Sequence, residues 1–370
     1  MKKLLYFVTE DWYFVSHRLA LAKSAQNLGY SVYVVTRCQQ HTQLLADMGF
    51  IVIPYNANRS SLNPLTLLLE SIVLAKIYRE VNPSIVHHVA LRPVVVGAIS
   101  ARLAGIKAVV SSITGMGFLF TEEKRSQRIQ RVLQWLFPKL LKKSTIIVQN
   151  PDDYALLTTT GLAAANIRLI PGVGVDISKF VPRRCSIEEG PIVVMMASRL
   201  LWDKGVKEFI QAARSLYSHK VRFVLVGKPD QSNPATVTSE DLNSWVSEGI
   251  VEYWGHRDDM HNVLPKAHIV CLPSYREGFP KVLLEAMACE IPCITTDVPG
   301  CRDAVRDGDN GLLVPARNAT ALACAVRKLV EDSKMRTRMG ARGRERVVNE
   351  FTQERIVDAT LAIYQDLLIT

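Results

Sequence analysis

Short apolar runs alternate with helix-patterned stretches along almost the whole chain, and this alternation constrains the fold more than any other feature. In the first half, residues 4–8, 32–36, 51–54, 85–88, 108–111 and 145–148 read as strands. Helix-patterned segments lie between them, among them 18–28, 65–81 and 93–103, and Gly29, Gly49 and Gly105 stand where helix C-caps belong. Continuous apolar strands need cover on both faces. Alternated with helices, they imply a parallel sheet between two helical layers. Ligands of such sheets bind beyond the strand C-termini.

The texture changes over residues 167–184, where Pro171, Gly172, Gly174 and Pro182 mark a turn-rich connector and a hinge. The alternation then restarts with strands at 192–197, 221–227, 250–253, 269–272 and 294–295, and residues from 321 onward read as helical. At 370 residues and 48% hydrophobic content the chain has room for two cores. The expected architecture is α/β: two Rossmann-like parallel-sheet domains, residues 1–180 and 181–351, with a cleft between them and a last helix over 352–370.

The net charge of +10 favours anionic partners: nucleic acid, phosphorylated substrates or an acidic membrane surface. No RNA- or DNA-reading motif accompanies it, so nucleic acid is not expected. Seven irregularly spaced cysteines, without a C-x-x-C pair, fit reduced thiols in a cytoplasm better than disulfides or zinc. The apolar run after Lys2 and Lys3 meets Glu10 and Asp11 too soon for a signal peptide and reads as a first strand. No stretch reaches transmembrane length, and Glu70 breaks the longest candidate, near 65–75. A dinucleotide-binding G-x-G-x-x-G is also missing, since Gly172 and Gly174 sit in the connector without a following helix.

The most informative stretch is Tyr275-Arg-Glu-Gly-Phe-Pro-Lys-Val-Leu-Leu-Glu-Ala-Met-Ala. A buried strand ends before it, Gly278 makes a turn, and Pro280 stands where a first helical residue belongs. The unpartnered N–H groups and dipole of the new helix favour an anion, and Gly278 permits close approach. Glu277 lies before the helix and Glu285 within it. Carboxylates accept from hydroxyls and repel bare phosphate. The combination suits a ligand with both groups, such as a nucleotide sugar.

Arg199 and Lys204 follow the strand that reopens the second half, where two cations can neutralise a diphosphate. Gly227 ends another strand, and Arg257 and Asp258 precede a helix, Asp258 being either its N-cap or a ligand contact. Asp307-Gly308-Asp309-Asn310-Gly311 has the look of an Asp-x-Asp metal site, but Asp-Gly and Asn-Gly before an apolar run signal a turn. No metal and no cofactor is expected.

The string Glu-Gly-Phe-Pro-x-x-x-x-Glu-Ala-Met-Ala resembles the Glu-x7-Glu motif of the glycosyltransferase group 1 family, the retaining GT-B enzymes. The resemblance runs over nearly the whole chain and includes Arg199 with Lys204-Gly205. Through segments such as 61–64, 74–76, 201–209 and 273–275 it narrows to bacterial enzymes that add N-acetylgalactosamine to an undecaprenyl-diphosphate-linked sugar. It implies the GT-B architecture, a final helix that returns to the first domain, a UDP-activated sugar, retention of configuration and a polyprenyl-diphosphate acceptor. It assigns Arg199 and Lys204 to the diphosphate and Glu277 to the hexose, these three being the catalytic set. Glu285 falls to the ribose and Arg257 to the neighbourhood of the base. Gly278, Phe279, Pro280, Lys281 and Gly227 complete the donor side.

On the acceptor side, His17 and Arg18 follow the first strand at the cleft, where their functional reading is contact with the acceptor's phosphates; many relatives carry a Gly-rich loop there that this chain lacks. The resemblance points to Thr114, Gly115 and Gly117 after the fifth strand. Many relatives place a His-Gly pair there; Thr114 replaces the His and cannot serve as a base near neutral pH. The bland readings are a structural His17 and a solvated Arg18, and neither His87 nor His88 is assigned a catalytic role. Residues 124–143 form a basic amphipathic segment with Trp135 and Phe137, equally a peripheral membrane element and a helix packed on its own sheet. The expectation is a transferase of surface-polysaccharide or O-antigen assembly, on the inner face of a bacterial plasma membrane. The alternatives are a UDP-N-acetylhexosamine 2-epimerase of the same fold and a non-catalytic nucleotide-sugar-binding partner.

Overall fold

The computed structural model describes residues 2–56, 63–116, 135–182, 190–217, 220–231 and 233–369. They form two units: Met1–Val173 with Glu354–Thr370, and Gly174–Gln353.

The first unit holds β1 (Lys2–Glu10), α1 (Asp11–His17), α2 (Leu19–Asn27), β2 (Tyr30–Arg37), α3 (Thr42–Asp47), β3 (Ile51–Pro54), α4 (Pro64–Val81), β4 (Ile85–Val89) and α5 (Leu91–Ala104). It continues with β5 (Val109–Ile113), α6 (residues 135–141), β6 (Thr145–Val148), α7 (Pro151–Thr159) and β7 (Ile167–Leu169). The seven strands form one sheet, order β3-β2-β1-β4-β5-β6-β7, with parallel pairings throughout. Along β1, Leu4, Tyr6 and Val8 enter one core while Leu5 and Phe7 enter another. This is the two-faced strand that an unbroken apolar run demands.

The second unit holds β8 (Ile192–Ala197), α8 (Val206–Ser215), β9 (Val221–Val226), α9 (Ser239–Ser247), β10 (Glu252–Tyr253), α10 (Met260–Val263) and β11 (Ile269–Leu272). After these come α11 (Lys281–Ala288), β12 (Cys293–Thr296), α12 (Cys301–Ala304), β13 (Gly311–Val314), α13 (Ala319–Glu331) and α14 (Ser333–Glu350). Its parallel sheet has the order β10-β9-β8-β11-β12-β13. Here too Val193 and Met195 face one core, and Val194 and Met196 the other. The last helix, α15 (Gln353–Ile369), packs Ile356, Val357, Leu361, Ile363 and Tyr364 with Leu4, Tyr6 and Val8 in the first unit.

Several sequence expectations are corrected. Residues 167–169, read as part of a turn-rich connector, form β7, an edge strand too short for periodicity to reveal. β13 was likewise hidden behind the turn signals before it. The helix expected over 18–28 is α2, and a further helix, α1, precedes it, set apart because Arg18 (φ −128°, ψ −11°) leaves helical geometry between the two. The helical stretch from 321 onward is three helices. Asp332 starts the second, its carboxylate accepting from the Met335 N–H.

Among the described residues no helix is long and apolar enough to cross a membrane. Gly117 and residues 124–134 of the basic segment lie outside the described residues.

Candidate functional site

In the second unit, chemistry gathers where β8 and β11 end. β11 is wholly buried and runs into buried Pro273 and Ser274. The loop after it lies between two neighbours: the Tyr275 N–H donates to Asp203 O (2.9 Å) and the Glu277 N–H to Pro299 O (3.2 Å). Gly205 makes the first contact possible. Its φ is +77°, and a Cβ there would stand 2.1 Å from Pro273 O. Gly205→Ala should therefore cost at least about 2 kcal/mol, from left-handed strain plus overlap, read as a lowered denaturation midpoint. On the other side Gly300, which carried no sequence signal, packs beneath the loop; a Cβ there would lie 2.7 Å from Glu277 O.

This clamp brings Lys204 and Glu277 together across 73 residues of sequence. Lys204 Nζ donates to Glu277 Oε1 at 2.5 Å, and Ser274 Oγ donates to the same oxygen at 2.7 Å. The two charged side chains are 18% and 13% exposed. A pair so withdrawn from water persists because opposite charge and a hydroxyl donor offset desolvation. Neither contact uses Oε2. Ser274 was missed because a lone Ser before a motif has no distinguishing spacing.

Pro280 is the N-cap of α11 and not its first helical residue, since its ψ of 109° is extended. No described side chain caps the helix start. One turn in, Lys281 Nζ meets Glu285 Oε1 at 3.0 Å, with the carboxylate 8% exposed. Phe279 turns its ring into the core against Phe351, centroids 5.1 Å apart, so only its backbone is available at the loop. Gly278 and Pro280 are buried beside it.

The other donor-side residues are more exposed. Arg199 Nη1 lies 3.1 Å from Asp230 Oδ2. Gly227 (φ +133°) faces Ser198 O, which a Cβ would approach to 1.8 Å; its place is backbone packing at the end of β9. Arg257 is tied to Asp259, with Nε and Nη2 each 2.9 Å from a carboxylate oxygen. Asp259, not Asp258, precedes α10 at the N-cap position. Asp307 and Asp309 sit in a turn: Asp307 Oδ1 accepts from the Leu313 N–H, and Asp309 pairs with Arg342. Among the described residues no cluster of three His, Cys, Asp or Glu side chains could hold a metal ion.

In the first unit, His17 ends α1 with its ring stacked on Tyr13 at 4.2 Å. Arg18 is 6% exposed, not a solvated charge. Its guanidinium acts on a buried polar chain in which Tyr364 Oη meets His87 Nδ1 (2.5 Å) and Tyr6 Oη (3.1 Å), while His87 Nε2 meets Ser112 Oγ (2.6 Å). Burial holds His87 well below its ordinary pKa, and the Arg18 charge adds to this. Burial pushes His88, 3.0 Å from Tyr78 Oη, down to about 3. Both imidazoles are neutral members of the core. Thr114 and Gly115 follow β5, half-buried.

Comparison with known proteins bears on this arrangement. Residues 179–346 match the family described as glycosyl transferases group 1, and residues 3–150 match glycosyl transferase 4-like proteins. The chain is 32% identical over 333 residues to N,N'-diacetylbacillosaminyl-diphospho-undecaprenol alpha-1,3-N-acetylgalactosaminyltransferase of Campylobacter jejuni, covering 86% of this chain and 87% of that one. It is 26% identical to UDP-Gal:alpha-D-GlcNAc-diphosphoundecaprenol alpha-1,3-galactosyltransferase of Escherichia coli, over 80% and 79% of the two chains. The fold matches that of Anabaena HepE, solved with UDP and glucose, at a TM-score of 0.79, 19% identity and coverage of 99% and 100%. With two parallel-sheet domains of GT-B type and a relative this similar over most of its length, the chain belongs to the group 1 glycosyltransferases.

Proposed function

We propose that this glycosyltransferase moves an N-acetylhexosamine, N-acetylgalactosamine first among them, from a UDP-sugar to an undecaprenyl-diphosphate-linked saccharide, with retention of anomeric configuration. The product belongs to surface-polysaccharide assembly, on the inner face of a bacterial membrane. The observation that carries the reading is the pair of lysine–carboxylate contacts, Lys204–Glu277 and Lys281–Glu285, at one helix start without a side-chain cap. Cations and helix N–H groups suit a diphosphate; carboxylates suit sugar hydroxyls. The activities for which the Campylobacter and Escherichia relatives are named support the lipid-linked acceptor, and the latter also supports a UDP donor.

In this reading Arg199, Lys204 and the start of α11 stabilise the departing UDP. Glu277 orients the hexose through Oε2 and stabilises positive charge growing on the ring, while Glu285 holds the ribose hydroxyls. The C1–O bond to UDP breaks as the acceptor oxygen bonds to C1 on the same face. The acceptor proton passes to the released phosphate oxygen. Thr114, Gly115, Gly117, His17 and Arg18 form the acceptor side, and Phe279, Pro280, Gly278, Gly227 and Arg257 frame the donor.

The test is a panel of UDP-sugars offered with polyprenyl-diphosphate saccharides, read by mass and linkage analysis. UDP-N-acetylgalactosamine is expected to give one added N-acetylhexosamine in an α linkage. A β product would overturn retention. An epimerised sugar formed from UDP-N-acetylhexosamine alone would overturn the transfer reading.

A further inference from the structure

The outer face of α4 has no part in this chemistry. Leu65, Leu68, Leu69, Ile72 and Val73 are 64%, 47%, 56%, 41% and 52% exposed. Steps of three and four place them on one stripe of the helix. Another stripe, Ser71, Leu74, Ala75, Tyr78 and Val81, is buried. The helix is therefore apolar on two faces, and the protein covers one of them. Glu70, the acid that interrupts the run in sequence, is turned aside: it meets Arg92 of α5 at 2.8 Å and is 12% exposed. Single exposed leucines are ordinary, but five large aliphatic side chains on one stripe form a patch.

Charge selects the occupant. The unit that carries α4 has 20 Lys/Arg against 12 Asp/Glu, a net +8, whereas the other has 25 against 23, a net +2. α5 lies between α4 and α6: Arg79 of α4 donates to Leu103 O at 2.5 Å, and Arg102 of α5 donates to Leu140 O at 3.0 Å. The exposed charged residues of α4, α5 and the segment 135–143 are Lys76, Arg79, Arg102, Lys139, Lys142 and Lys143, with Glu80 as the one acid. Trp135 on the same layer is 64% exposed, and Lys139 Nζ stands 3.3 Å above its ring. Aliphatic side chains, an exposed Trp and a basic rim match the acyl, interfacial and headgroup levels of an anionic bilayer in that order. A second copy of this chain would instead bring the same positive rim against itself.

We propose that the outer stripe of α4 enters the interfacial layer of an anionic phospholipid bilayer, while the basic residues of α4, α5 and the segment 135–143 sit against its headgroups. This names the surface behind the membrane partner of the proposed function and rests on that reading. The stripe holds the enzyme at the plane where a polyprenyl-linked acceptor presents its sugar.

The experiment is flotation of the full chain with phosphatidylglycerol-rich vesicles and with pure phosphatidylcholine vesicles. The wild type should float with the anionic vesicles. Leu69→Glu/Ile72→Glu should lower the partition coefficient by at least about tenfold. Leu65→Ser/Leu68→Ser should lower it in the same direction without added charge. Val348→Glu, at a residue 43% exposed on α14, should leave it unchanged. Circular dichroism checks that each variant is folded. Three results would each overturn the proposal. One is a wild type that stays with neither vesicle, and another is α4 variants that float as well as the wild type. The third is a light-scattering mass that falls from dimer to monomer in the α4 variants, which makes the stripe an interface between copies. No sugar transfer enters the assay, so this surface and the proposed reaction can fail independently.

Discussion

Lys204→Ala is expected to slow sugar transfer by roughly 10²–10³, the usual loss when one preorganised charge contact is removed from a developing anion. Glu277→Ala should fall in the same range, but for a coupled reason. Lys204 and Glu277 are hydrogen-bonded to each other and only 18% and 13% exposed, so either deletion leaves its partner withdrawn from water without its counter-charge. The double variant should therefore be about as slow as the slower single variant, not slower by the product of both losses. Single-turnover rates of the three variants, with folding checked by circular dichroism, decide this. Multiplicative losses would mean that the two side chains act separately. A folded Lys204→Ala enzyme with near-normal turnover would remove Lys204 from the mechanism.

The second large effect concerns stability. Between pH 6.5 and about 3, the His88 imidazole should withdraw on the order of 5 kcal/mol from the first unit. The sign follows from proton counting. In the fold His88 stays neutral down to about 3, whereas in the unfolded chain it binds a proton below 6.5. The unfolded state thus takes up protons first, and stability falls as pH drops through that window and levels off beneath it. His87 is displaced in the same direction by burial and by the Arg18 charge. The measurement is the denaturant midpoint against pH for the wild type and for His88→Gln, compared as a difference so that other titrating groups cancel. The variant should be less stable near neutrality and should lose less on acidification. Parallel curves for the two proteins would show that His88 does not titrate in this window.

Much of the architecture was legible because each interior strand is apolar on both faces. Residues 145–148, 192–197 and 269–272 were bounded correctly from their apolar runs, and so was the edge strand 51–54. β7 was not, because only Ile167 of its three residues is buried, and β13 was not, because the Asp-Gly and Asn-Gly turn signals stand directly before it. The motif residues were also legible. Their partners were not: Ser274 beneath Glu277, Gly300 beneath the loop, and Asp230 beside Arg199 carry no spacing signal. The reading of Arg18 as a solvated charge failed, because it is buried beside Tyr6, Tyr364 and His87, drawn from β1, α15 and β4.

Hydrophobic periodicity and one motif were enough to specify two parallel-sheet domains and the residue types of the proposed nucleotide-sugar site, because both are local properties of a dozen residues. The pairing of Lys204 with Glu277, the neutrality of His87 and His88, and the choice of which face of α4 meets water arose only in the folded chain. Each depends on burial and on contacts between segments far apart in sequence, and neither quantity exists before the strands have found their neighbours.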